Sequence, residues 1–148
     1  MATHQSKTTI GKFHWRKSIL SDVTNVAANM RQEDKEEVLA YSGSSPQEAL
    51  FYCFFASKPC MTMVGRKGNI MGMYGVVPCS PKVGRIWMLG HKSMTTDYKD
   101  VRAFLRCSPI ELQKFHCNYP LLYNYVDARN ETHITVSYTH LTLPTMFE

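Results

Sequence analysis

The sequence predicts a single α/β (α+β) domain in which helices flank a mixed β-sheet. Three observations indicate this class: short runs rich in alternating or branched residues, longer runs with apolar residues at helical spacing, and the order in which these runs follow one another. Strand-type and helix-type segments interleave along the chain, which is typical of proteins whose helices cover the faces of one sheet.

Size and composition agree with this class. The chain has 148 residues, of which 44% are hydrophobic and 20% charged, the composition of one globular domain. No run reaches the roughly 18–20 apolar residues that a membrane helix needs. The polar stretch 1–11 predicts a frayed tail rather than a secretory signal.

The cysteine and charge patterns indicate which kinds of binding partner to expect. Five cysteines without close pairing indicate reduced thiols in a cytosolic setting, and without a Cys-x-x-Cys pair we predict no metal site. Lys and Arg exceed Asp and Glu by 17 to 12, a net charge of +5, but no block of five or six like charges occurs. We therefore expect a solvated basic surface and no nucleic-acid partner.

The N-terminal third predicts one strand followed by helices. Residues Lys12 to Ser18 alternate loosely, which is typical of a strand, and Ser21 is placed to cap a helix. The apolar face of that helix comprises Val23, Val26, Ala27 and Met30. The stretch Arg31 to Tyr41 predicts a second, more polar helix with Val38 and Leu39 as its buried contacts.

A capping box marks the next helix. Ser45-Pro46-Gln47-Glu48 places a capping serine before a proline at the first helical position. The helix Pro46 to Ser57 is apolar nearly all round, so we expect it to be buried on more than one side.

The central part predicts three strands. Cys60 to Val64 and Ile70 to Val77 are joined by a glycine-bearing hairpin loop, Pro78 to Val83 is expected to be a loop, and Gly84 to Leu89 is a short strand.

One helix and one strand follow. Between Tyr98 and Phe115 the apolar positions keep helical phase across Pro109. The capping-box pattern at Ser108 allows a new helix there, whereas the preserved phase favours one helix kinked at the proline. Leu121 to Val126 predicts a further strand.

Four stretches of the chain resemble the internal core (internal virion) protein family of short-tailed phages, whose members are similar in fold to Gcn5-related N-acetyltransferases. They are Ser45 to Leu50, Gly72 to Pro78, Trp87 to Gly90, and Tyr119 to Asn130 followed by His133-Ile134. The resemblance covers about Lys12 to Ile134. It implies an acetyltransferase-like mixed sheet flanked by helices and cut short after the fifth or sixth strand.

The resemblance ends after Ile134. We expect residues 1–134 to form the single domain and 135–148 to be a non-native tail, because a helix is missing where the acetyltransferase architecture places one. The string Val136 to Thr145 resembles the translated sequencing-adapter tail found in reading frames assembled from environmental DNA. By its alternation alone, Ile134, Val136 and Tyr138 would form a good strand.

An acetyltransferase of this fold needs a loop of free backbone amides that binds the coenzyme pyrophosphate at a helix N-terminus. The acetyltransferase pattern has glycines in this loop, whereas this chain has His91-Lys92-Ser93-Met94-Thr95-Thr96. Side chains hinder close approach of a phosphate to the backbone, so we expect no cofactor.

The resemblance also implies a general base near the fourth strand. Arg85 to Leu89 contains no carboxylate, and His91 is the titratable substitute nearby. The catalytic residues are therefore unknown. If acetyl-coenzyme A does bind, the resemblance implies that Leu89, Gly90 and Asn130 contact it, although Asn130 equally suits a helix cap.

Two functions follow from the resemblance. The first is a non-catalytic phage internal virion or core assembly protein, with other virion proteins as partners, located in the host cytoplasm during assembly and in the virion interior. The alternative is an active N-acetyltransferase that transfers an acetyl group from acetyl-coenzyme A to an amine.

Overall fold

A computed structural model describes residues 11–126 and 145–147. Its elements, in chain order, are β1 (His14–Lys17), α1 (Leu20–Ala28), α2 (Gln32–Ser42), α3 (Pro46–Ala56), β2 (Cys60–Val64), β3 (Ile70–Ser80), β4 (Val83–Gly90), α4 (Tyr98–His116), β5 (Leu121–Val126) and β6 (Thr145–Phe147). No helix in the described part of the chain is long and apolar enough to span a membrane.

The strands form one mixed sheet in the order β1-β2-β3-β4-β5-β6. The first four strands pair antiparallel, and β5 runs parallel to β4. The short strand β6 pairs parallel with the end of β5. This arrangement confirms the predicted mixed sheet flanked by helices.

The core lies on both faces of the sheet. Helices α1 to α3 pack on one face against a cluster that includes Val23, Leu50, Met73 and Trp87. The other cluster, which includes Phe104 and Phe115 of α4, covers the opposite face. Within these clusters Leu50, Met73, Trp87 and Phe104 are buried, and Phe54 is partly buried.

Helix α4 is one continuous helix with Pro109 inside it, so the interpretation based on preserved apolar phase is confirmed. The apolar stripe continues past the proline because Phe104 and Phe115 both pack against the same cluster. The side chain of Ser45 accepts from the amide of Glu48, as expected for the cap of α3.

Three local predictions on the helices are wrong. Leu39 is 64% exposed, because only Val38 of that pair faces the sheet. Helix α3 buries one face, and Phe55 is 73% exposed on the other. Helix α1 begins one residue before Ser21, and the carboxylate of Asp22 accepts from the amide of Ile19 at 2.9 Å.

The predicted loop from Pro78 to Val83 is also wrong. Strand β3 continues to Ser80, and β4 begins at Val83, so only two residues form the turn. Pro78 is tolerated within the strand because the register between β3 and β4 shifts between Pro78 and Ser80.

Candidate functional site

The parallel strands β4 and β5 separate along their length. They pair only at Val83, Gly84 and Arg85, opposite Leu121, Leu122 and Tyr123. After Tyr123, β5 pairs only with β6, on its other side. The edge of β4 from Ile86 to Gly90 therefore has no strand partner on the β5 side among the described residues, and the predicted site residues Leu89 and Gly90 lie at its end.

The backbone of Gly90 is bonded to the start of α2. Its amide donates to Asp34 Oδ2 at 2.7 Å, and its carbonyl accepts from the amide of Arg31 at 2.9 Å. Asp34 is completely buried. A Cβ at Gly90 would lie 2.7 Å from Arg31 Cδ and 2.8 Å from Met94 Sδ, so the glycine permits close packing against these two side chains.

Leu89 packs in the core cluster beneath α1 to α3, which is a structural role. Asn130, the third predicted coenzyme contact, lies outside the described residues. The structure thus places Leu89 and Gly90 side by side on β4.

The loop from His91 to Thr96 uses most of its amides internally. Five of its six amides donate to acceptors within the chain: His91 to Met71 O, Lys92 to Asn29 O, Ser93 to His91 Nδ1, Met94 to His91 O and Thr96 to Ser93 O. An anion bound at this loop would compete with these bonds, which range from 2.7 to 3.2 Å.

The N-terminus of α4 carries carboxylates. Asp97 caps the helix by accepting from the amides of Lys99 and Asp100, at 2.9 and 3.4 Å. Desolvation opposes the charge on Asp97, but the bond from the Lys99 amide and the guanidinium of Arg66 outweigh it and hold the pKa of Asp97 below its usual value. Asp100 is buried and accepts from the Arg66 amide at 3.0 Å. The negative charge that helix dipoles attract is thus already supplied by the chain itself.

His91 is poorly placed as a general base. Its Nδ1 accepts from the amide of Ser93, so in the neutral ring the proton is on Nε2 and the basic lone pair is already used. Partial burial and the neighbouring charge of Lys92 lower the pKa of His91, so the ring is neutral at pH 7.

A groove of about 310 Å³ lies between α2, α3 and β4. Its apolar lining includes Trp87, Met88 and Leu89, and Asn124 of β5 also lines it. Two glutamates and two tyrosines that we did not predict are among its lining residues: Glu37 and Tyr41 of α2, and Glu48 and Tyr52 of α3.

These four residues share a signal that the sequence does contain. Each helix carries a glutamate followed four residues later by a tyrosine, and such positions lie on one helix face. The two helix faces line one groove because α2 packs against α3, and the sequence does not show this packing. Arg85 donates to the Tyr41 hydroxyl, and both residues line the groove. Burial raises the pKa of the thiol of Cys53, another lining residue, to about 11.

Comparisons with known proteins identify the fold. Neither the known family profiles nor the curated protein sequences include a match to this chain. The structure is similar to a spermidine N-acetyltransferase from Vibrio cholerae in complex with CoA and spermine, with a TM-score of 0.55 and 11% identity over 88% of this chain and 80% of that one. It is also similar to an acetyltransferase of the GNAT family from Streptococcus pneumoniae, with a TM-score of 0.55 and 13% identity over 87% and 83% of the two chains. The chain therefore has a GNAT-like acetyltransferase fold.

Proposed function

We propose that the chain is a non-catalytic protein on an acetyltransferase-like fold, and that it serves as a virion-assembly or internal core component, as its resemblance to the phage family implies. The observation that carries the non-catalytic part is the bond from the Gly90 amide to the buried carboxylate of Asp34, 2.7 Å long. A coenzyme lying along this end of β4 would have to displace a buried, charge-assisted hydrogen bond.

Electrostatics support the same proposal. A pyrophosphate at the N-terminus of α4 would approach the carboxylates of Asp97 and Asp100. Like charges at short range disfavour the ionised forms, so binding there would cost free energy instead of gaining it from the helix dipole. The internal bonding of the loop amides between His91 and Thr96 adds to this cost.

Exposed apolar side chains on α2 and α3 support contact with other proteins. Leu39, Tyr52 and Phe55 are 64%, 59% and 73% exposed. Phe55 also contacts the rings of Phe51 and Phe54, with centroids 6.3 and 5.1 Å away. Exposed aromatic clusters of this kind are common where one protein docks on another, which suits a protein that assembles with other virion proteins.

The first experiment tests coenzyme binding by thermal shift with acetyl-coenzyme A at millimolar concentration. We expect no shift. Ligand at ten times its Kd would add about 1.4 kcal/mol, which corresponds to roughly 3–6 °C for a chain of this length. A shift of that size which disappears in Asn130→Ala would contradict the non-catalytic proposal, and Glu36→Ala on the exposed face of α2 is the matched control.

The second experiment tests assembly. The tagged chain is expressed during infection by a short-tailed phage, and gradient-purified particles are probed for it. We expect co-purification that a Tyr52→Ser/Phe55→Ser variant reduces and that Lys82→Gln does not. Absence of the wild-type chain from the particles would contradict an assembly role, whatever the result with coenzyme.

A specific observation favours the alternative, an active N-acetyltransferase. The separation of β4 from β5 leaves backbone groups at the β4 edge for an extended, amide-bearing ligand, and Glu37 and Glu48 in the adjacent groove suit a cationic amine. Release of free coenzyme thiol from acetyl-coenzyme A in the presence of a polyamine, lost in Glu37→Gln, would favour this alternative.

A further inference from the structure

We propose that a second groove, on the α4 side of the molecule, binds the phosphodiester backbone of a nucleic-acid duplex. This groove has a volume of about 670 Å³ and is lined by the segment before β1, the β2–β3 hairpin and the first half of α4. Its charged lining residues are Lys12, Arg66, Lys99, Arg102 and Arg106. The proposal does not depend on the virion role.

The charged residues that line this groove are all cations, and the nearest carboxylates, Asp97 and Asp100, are paired with Arg66. Five of the 17 lysines and arginines line it, and no aspartate or glutamate is among its lining residues. The charge of Arg66 is balanced within the chain, because its guanidinium forms ion pairs with Asp97 at 3.0 Å and Asp100 at 3.4 Å. The other four cations have no ion pair within the described ranges 11–126 and 145–147.

The α4 cations are spaced along one helix face. Lys99, Arg102 and Arg106 stand at positions i, i+3 and i+7, and both arginines are exposed. Seven residues of helix span about 10 Å, and successive phosphates of one duplex strand advance about 3.4 Å along the axis, so the row covers roughly three phosphates. Lys12, in the segment before β1, adds a fourth cation to the lining.

Side-chain chemistry also favours phosphate over a carboxylate-bearing protein. The guanidinium of Arg102 lies over the Tyr98 ring, 5.6 Å from its centroid, and this cation–π contact orients the guanidinium group. Tyr98 is 70% exposed. Planar guanidinium groups bind phosphate oxygens bidentately. A row of cations with no carboxylate among the lining residues suits a repeating anion better than a protein surface that carries both signs of charge.

The test is fluorescence anisotropy with a labelled 20-base-pair DNA duplex at several salt concentrations. Four phosphate contacts predict a slope of log K against log salt of about −3.6, which corresponds to a loss of roughly 150-fold in affinity between 50 and 200 mM salt. The variant Arg102→Gln/Arg106→Gln should reduce the slope to about −1.8 and the loss to roughly 12-fold.

The matched control is Lys58→Gln/Lys82→Gln, which removes the same charge from exposed positions before β2 and in the β3–β4 turn, at the other end of the sheet. It should bind like the wild type. Melting curves establish that each variant is folded, and Lys99→Gln serves as a single-site replacement if the double variant is not. Three results would overturn the proposal. The first is no binding of the duplex at 50 mM salt, and the second is a control variant that binds as weakly as Arg102→Gln/Arg106→Gln. The third is displacement of the labelled duplex by polyglutamate as efficiently as by unlabelled DNA. Tighter binding of a single strand than of the duplex would overturn the choice of duplex.

Discussion

Replacing Asp34 by alanine tests whether the hydrogen bond between the start of α2 and the Gly90 amide at the end of β4 stabilises the fold. The carboxylate is fully buried, accepts from the Gly90 amide at 2.7 Å, and lies 3.7 Å from the guanidinium of Arg31, whose side chain is only 9% exposed. Removing it leaves a buried amide unpaired, which costs about 1–3 kcal/mol, and weakens the pairing of a buried cation.

The combined loss should be about 3–5 kcal/mol, the range found when one partner of a buried ion pair is removed. For a chain of this length that corresponds to a fall in melting temperature of roughly 6–20 °C. The assay is urea denaturation followed by circular dichroism, with an unchanged slope of unfolding free energy against urea as evidence that only stability changed.

Glu33→Ala is the matched control. Glu33 lies in the same first turn of α2, 3.6 Å from the same guanidinium, but its side chain is 53% exposed. It therefore shares the helix-dipole and Arg31 interactions without the Gly90 contact, and its loss should cost less than about 1 kcal/mol. Asp34→Asn, which keeps an oxygen for the Gly90 amide, should fall between the two. Equal losses in Asp34→Ala and Glu33→Ala would refute the reasoning.

Three further predictions concern the fold. Burial opposes ionisation of Asp22, but bonds from Arg16, the Ile19 amide and Thr62 outweigh it and lower the pKa of Asp22. Urea titrations should show that Asp22→Asn costs about 2–4 kcal/mol above pH 5. That cost should begin to shrink below roughly pH 4, where an unfolded aspartate takes up its proton, and continue to shrink as the pH falls through the lowered pKa of the folded protein. In the same assay Leu50→Ala, at a fully buried site, should cost about 2–5 kcal/mol, whereas Phe55→Ala should cost less than about 1 kcal/mol. Equal costs of the two substitutions would contradict the burial of only one face of α3. Deleting residues 135–148 should change the melting temperature little, because β6 pairs with β5 through only three residues, and a fall of about 10 °C or more would show that this tail belongs to the domain.

Local sequence signals predicted most of the elements. The cap at Ser45, the strand Cys60–Val64 and the continuous helix across Pro109 depend on contacts within a few residues, and the structure confirms each. The errors at Leu39 and Phe55 have a different cause. Hydrophobicity alone indicates that a side chain prefers burial. Because α2 and α3 pack on a single face of the sheet, only the side chains on the sheet-facing side of each helix are buried.

The candidate sites were harder to predict than the elements. The lack of glycines in the loop from His91 to Thr96 indicated a poor phosphate site, but the sequence could not show that Asp34, 56 residues before Gly90, accepts the Gly90 amide. The same holds for the four residues that α2 and α3 bring to one groove. Contacts across such separations depend on the packing angle of the helices on the sheet, which no local pattern encodes.

The sequence by itself determined the class of fold, the approximate limits of the strands and helices, and the lack of glycines in the loop from His91 to Thr96, because each depends on periodicity or on residue type over short stretches. Only the tertiary structure decided what surrounds Gly90 and where the cations gather. Lys12, Arg66 and Arg102 are scattered along the chain and formed no basic block in the sequence, yet they line one groove. The physical reason is that electrostatic potential depends on distance in space, and the antiparallel return of β2 and β3 beside α4 sets that distance.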